Sequence, residues 1–106
     1  MTYVIVNIER VNDHDAFREY ADRVAPLIER HGGKYLAIER TPEVKSGEWP
    51  YARTVIVAFP SLEAARGWYD SPEYQELLSV RLKAITANIA FVRDLSEAPI
   101  LKAASQ

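Results

Sequence analysis

The 106-residue chain contains no cysteine, four glycines, one methionine and no excess of basic residues. Without thiols, cysteine nucleophiles, thiolate metal sites and disulfides are all excluded. Thirteen Lys and Arg stand against fifteen Asp and Glu, a formal net charge of -2 at pH 7. No cationic surface is therefore expected from which a polyanion would release counterions, so nucleic acid is not an expected partner. No segment approaches the roughly 18 apolar residues of a membrane span. The opening MTYVIVNIER lacks the basic start and long apolar run of a secretion signal. A soluble, cytoplasmic protein without a membrane partner is the expectation.

What is present is ordinary globular material, 48% hydrophobic and 26% charged. A chain of this length makes one domain that buries roughly 65% of its unfolded surface. TYVIVNIE is rich in β-branched residues and reads as a strand, followed by the polar VNDHD that places a helix cap at Asn12 or Asp13. From Phe17, apolar residues recur at three and four (Tyr20, Ala21, Val24, Leu27, Ile28) as far as Gly32-Gly33, which predicts a helix from Asp13 to His31. Pro26 lies inside it and is expected to remove one backbone bond and bend the helix. KYLAIERT and ARTVIVAF are strands joined by the turn-rich PEVKSGEWPY, in which Trp49-Pro50 is a candidate lid or dimer clasp. LEAARGWY and SPEYQELLSVRLKAI are helices, and NIAFVRDL is the last strand.

The order β-α-β-β-α-β predicts an α+β, ferredoxin-like fold, with four antiparallel strands and the helices on one face. The domain is expected to span residues 1–95. The tail over residues 96–106 shows little pattern, although its Ile100 and Leu101 are candidates to dock. An open sheet face normally alternates polar with apolar residues, yet Tyr3 and Ile5, like Ile56 and Ala58, alternate with Val4, Val6, Val55 and Val57. Both faces are apolar, and a second layer is needed. The expected cover is a second copy, a homodimer with sheet packed on sheet; the alternative is a monomer covered by its own C-terminal tail.

The run GWYDSPEYQELLSVR concentrates the unusual residues. Ser71-Pro72 is ordinary helix-start chemistry, a serine cap with proline in the first turn. Arg81 is different, because Tyr74, Leu77, Leu78, Arg81 and Ile85 share one helical stripe, so the guanidinium projects from the apolar side. Either it holds a ligand carboxylate, phosphate or enolate, or its stem snorkels or pairs with Glu73 or Glu76. His31, at the end of the first helix, is either a cap on terminal carbonyls or an acid aided by the helix dipole. Asn7 interrupts an apolar strand and would enter a cavity bordered by Arg81 if its face meets the helices. Trp68 and Tyr69 can wall a pocket at the helix joint. Ligand-binding candidates are therefore Arg81, Asn7, Trp68 and Tyr69, and catalytic candidates Tyr69 and His31. His14, between Asp13 and Asp15, reads as solvated surface, and no metal motif, phosphate loop or catalytic triad is present. The strand order also belongs to RNA-recognition motifs, but the aromatic signature of their open sheet face is missing.

HGGKYL, YVIVNIE and above all GEWPYARTVIVAFPSLEAARGWYDSPEYQELLSVR resemble the bacterial domain-of-unknown-function family numbered thirteen-thirty. That family lies within the dimeric α/β-barrel superfamily, and the resemblance runs from about Thr2 to Leu95. It implies a ferredoxin-like fold and a dimer of packed sheets, and brings no reaction to transfer. The wider superfamily includes cofactor-free oxygenases, lactone isomerases, haem-dependent and stress-responsive members, many holding a ligand between sheet and helices. This analogy implies Asn7, Tyr69 and Arg81 as pocket residues. A haem needs an axial histidine aimed into such a cavity, and His31 at a helix end does not supply one, so no cofactor is expected. The function so reached is a cofactor-independent oxygenase- or isomerase-like enzyme for a small organic anion or enolisable aromatic. The alternative is a non-catalytic small-molecule binder or interaction module.

Overall fold

The computed structural model describes residues 1–98. Its elements are β1 (Thr2–Val11), α1 (His14–Arg30), β2 (Lys34–Glu39), β3 (Arg53–Phe59), α2 (Leu62–Tyr69), α3 (Pro72–Ala84) and β4 (Ile85–Arg93). The strands lie in the order β2-β3-β1-β4, and every neighbouring pair is antiparallel. This is the ferredoxin-like arrangement expected from the element order. Ile100 and Leu101 lie outside the described residues.

Strand alternation decides what the sheet buries. On β1 the even-numbered Val4 and Ile8 are buried, and they are in register with Val57 and Arg53 of β3 and with Phe91 and Ala87 of β4. Val4, Val57 and Phe59 pack with Val24, Leu27 and Ile28 of α1, Trp68 of α2 and Tyr74 and Leu77 of α3. All three helices therefore cover the same face. The odd-numbered Tyr3, Ile5 and Asn7 face away, with Ile56, Ala58, Ala90 and the 48%-exposed Val92 around them.

Local chemistry starts and stops each helix. The Asp13 carboxylate accepts the Ala16 amide at 3.0 Å and caps α1. At the other end, Gly32 takes φ +84°, and the Gly32 and Gly33 amides donate to Glu29 and Ile28 carbonyls. α1 runs unbroken through Pro26, which is exposed. Ser71 Oγ accepts the Tyr74 amide at 3.1 Å with Pro72 following it, the helix restart read from the sequence.

One boundary differs from expectation. β4 starts at Ile85, three residues before the NIAFVRDL segment, so helix passes into strand without a loop. The cause is a bulge in β1 between Ile8 and Arg10, which carries β1 on to pair Val11 with Ile85 and Arg10 with Thr86. The Ala84 carbonyl accepts the Asn12 and Asp13 amides at 2.7 and 3.2 Å. Past β4, Glu97, which the sequence reading puts in the tail, accepts the Thr2 hydroxyl at 2.7 Å and the Leu62 amide at 2.9 Å. The chain is thus bound to the sheet and to the start of α2 up to that point.

Candidate functional site

A cavity of about 320 Å³ lies between the sheet and α1. Its floor is the helix-facing rung pattern of β1 and β3, with Val4, Val6, Ile8, Val55 and Val57, and its roof is Phe17, Tyr20, Val24 and Ile28. Tyr35 and Ile38 of the edge strand complete one side and are 39% and 62% exposed, so the cavity opens along β2. This volume sits at the small end of ligand pockets.

Among the described residues Arg81 is the only charged one in this wall. Its Nη1 donates to Tyr74 Oη at 3.3 Å, and its guanidinium carbon stands 5.8 Å from the Tyr69 ring centre. Among the described residues Arg81 makes no ion pair; Glu73, the acid one might pair with it, meets Arg30 instead. Most of its donors remain free for an acceptor in the cavity.

Trp68 also lines the cavity, stacked on Phe59 with ring centres 5.3 Å apart. It is 2% exposed, and its indole N–H has no acceptor among the described residues. Buried polar atoms are nearly always paired, so the indole N–H is an exception within the core.

Two further residues were read from the sequence only as core. Tyr20 lines the cavity, and its hydroxyl lies 2.9 Å from that of Tyr74. Burial and the neighbouring Tyr74 oxygen push the Tyr20 hydroxyl far above its ordinary pKa. Burial raises Tyr74 as well. Both phenols stay protonated at neutral pH and serve as donors, not as bases. Their signal was present in the sequence: a tyrosine on an apolar helical stripe must place its hydroxyl somewhere.

The other candidates stand outside the cavity wall. Asn7 lies on the sheet face away from the helices, its Oδ1 accepting the Thr54 hydroxyl at 2.7 Å; strand alternation puts it there with Tyr3 and Ile5. His31 Nδ1 is 3.0 Å from the Leu27 carbonyl oxygen at the end of α1, the capping alternative. Tyr69 stands behind the wall, packed on Tyr74 and Phe91 with ring centres 4.7 and 5.9 Å away. The structure thus joins Arg81 and Trp68 at one cavity, places Tyr69 beneath Arg81, and separates Asn7 and His31 from them. Among the described residues the cavity wall contains no histidine and no carboxylate. Among the described residues no cluster of metal-binding side chains occurs, and no helix is long and apolar enough to cross a membrane.

The family model described as "Domain of unknown function (DUF1330)" matches residues 1–95. No curated protein matches the chain. Among solved structures, a protein of unknown function from Rhodopseudomonas palustris is 20% identical with a TM-score of 0.72, over 89% of this chain and 82% of that one. SnoaB, a cofactor-independent oxygenase from Streptomyces nogalater, is 15% identical with a TM-score of 0.60, over 92% and 95%. An ethyl tert-butyl ether (ethd) family protein from Bacillus halodurans is 18% identical with a TM-score of 0.64, over 90% and 99%. At such identities the likeness is one of fold.

Proposed function

The chain belongs to the DUF1330 family, whose description assigns no activity, and we propose from the cavity itself that it binds a small, largely apolar organic molecule through one anionic or enolisable oxygen held by Arg81. The observation that carries this reading is a guanidinium, bonded only to the Tyr74 hydroxyl and without a carboxylate partner among the described residues, in an otherwise apolar wall. A free charge in such a place costs solvation unless an acceptor meets it. The absence of acids from the described wall disfavours cations.

The hydrogen-bonded Tyr20, Tyr74 and Arg81 support a second reading, cofactor-independent oxygenase- or isomerase-like turnover of an enolisable aromatic. For a substrate that enters already ionised as its enolate, Arg81 holds the enolate oxygen and Tyr20, a protonated phenol, donates to it. The fold shared with SnoaB agrees with this reading. Tyr20 takes the role that the sequence suggested for Tyr69 or His31.

The open sheet face is proposed as a homodimer interface, because Tyr3, Ile5, Ile56 and Val92 form an apolar layer that no helix of the described residues covers.

A thermal-shift screen of aromatic carboxylates and hydroxyaryl ketones tests the site. Ligands that raise Tm in the wild type are expected to lose that effect in Arg81→Leu, and stabilisation that survives the change removes Arg81 from the site. Consumption of a bound ligand in aerated buffer, lost in Tyr20→Phe at unchanged affinity, selects turnover over simple binding.

A further inference from the structure

An irregularity in the edge strand β2 turns two of its side chains onto the cavity. Tyr35 and Ile38 are three residues apart, and in a regular strand such residues face opposite sides of the sheet. Here Tyr35 pairs with Val57 and Ile38 with Val55, both residues of the cavity floor. The bulge at Leu36, between Tyr35 and Ala37, absorbs the odd residue. Bulges at sheet edges re-aim side chains in this way. Both side chains accordingly line the cavity while remaining open to solvent. Exposed apolar side chains on a sheet edge carry an aggregation hazard, which a ligand lying between them offsets.

The strand order β2-β3-β1-β4 sets this mouth far from Arg81. Arg81 stands over Tyr69, whose ring packs on Phe91 of β4, the opposite edge. Ile85 and Ile89 of β4 line the same cavity. The cavity therefore crosses all four strands, three steps of about 4.8 Å or roughly 14 Å in all. Tyr35 is also part of the wall of a surface groove that follows α1, so its ring stands where the cavity meets the outside.

We propose that Tyr35 and Ile38 form the entrance of the cavity and determine its specificity, so that its occupant is a rod-shaped aromatic acid with its oxygen end at Arg81 and its last ring between these two side chains. The inference rests on the cavity reading above and adds to it the length and shape of the occupant. Arg81 fixes one end by charge. The mouth, which carries no charge, recognises the other by apolar burial and by contact with the Tyr35 ring.

Benzoate and biphenyl-4-carboxylate share a head group and differ by one ring along the long axis; both are titrated by calorimetry. The wild type is expected to bind biphenyl-4-carboxylate about tenfold or more tightly than benzoate. Biphenyl-2-carboxylate, which has the same atoms but sets the second ring beside the head group, is expected to lack that advantage. Tyr35→Ala/Ile38→Ala reduces the preference to less than about threefold and leaves benzoate affinity unchanged, whereas Tyr35→Phe keeps it, since the ring and not the hydroxyl makes the contact. Arg81→Leu weakens both acids alike and so retains the preference. A preference that survives the double change, or a wild type that binds benzoate and both biphenyl isomers equally, overturns the inference and leaves the cavity reading standing. Binding untouched by Arg81→Leu, with the preference still lost in the double variant, overturns the role given to Arg81 and retains the mouth. If none of the acids binds, the cavity reading falls and the inference with it. The comparison of the two biphenyl isomers needs only the wild type, and equal affinity for them overturns the rod-shaped occupant even where a variant fails to fold.

Discussion

The hydroxyl oxygens of Tyr20 and Tyr74 stand 2.9 Å apart, joining α1 to α3 beside the cavity. Tyr74 is fully buried and also accepts from Arg81, so its hydroxyl has two dependents. Tyr74→Phe strands both and is expected to cost about 1–3 kcal/mol, more than Tyr20→Phe. In a denaturant-based double-mutant cycle the double variant loses less than the sum of the singles. Additivity to within about 0.5 kcal/mol would show that the hydroxyls do not act as a pair.

Two glycines make opposite predictions. A Cβ on Gly33 meets Ile28 Cγ2 at 2.6 Å and Phe59 Cε1 at 2.7 Å, because the turn after α1 lies directly on the core. Gly33→Ala is expected to destabilise by about 1–3 kcal/mol through overpacking. Gly67, inside α2, has nothing within 4 Å of its Cβ position. Gly67→Ala is expected to stabilise by about 0.5–1 kcal/mol by helix propensity and a less flexible unfolded chain. Urea midpoints of the two variants read both signs.

Glu97 supplies a pH dependence. Its carboxylate accepts the Thr2 hydroxyl, is 2.9 Å from the Met1 amino group, and accepts the Leu62 amide. In that order these contacts bring its pKa down from 4.5 to about 2. The folded state binds this proton less readily than the unfolded chain, so the stabilisation is complete above pH 4.5 and is lost as pH falls towards 2. Tm followed from pH 6 to about pH 2 is expected to fall more steeply for the wild type than for Glu97→Gln, which lacks this titration. Parallel curves would rule out the role given to Glu97.

Ile56 sits at the middle of the open face, opposite Ile5 and Ala37. Ile56→Glu places a charge where two sheets would meet, and light scattering at low micromolar concentration should change from dimer mass to monomer mass with the far-UV spectrum retained. A wild type that already scatters as a monomer removes the interface.

Much of the fold is legible in the sequence, because helix and strand periodicities differ and their stop signals are local. The cap at Asp13, the glycine end of α1, the restart at Ser71-Pro72 and the doubly apolar strands each follow from a few neighbouring residues. The direct passage from α3 to β4 was not legible, since it depends on a bulge in β1, a strand more than seventy positions earlier. Arg81 was singled out from its stripe, and the structure puts it at the cavity. The place of Asn7 turns on which sheet face meets the helices, which only their docking decides.

Sequence by itself determined the element order, the ferredoxin-like class, the apolar character of both sheet faces and the inward stripe of Arg81, all of them consequences of composition and short-range spacing. Tertiary structure alone decided which strand face the helices cover, and with it that Val4, Val6 and Ile8, not Asn7, line the cavity. It alone brought Tyr20 to Tyr74 across fifty-four positions and faced Arg53 with Phe17. Such pairings depend on how separate elements dock, and docking geometry is a property of the packed core that no local run of residues encodes.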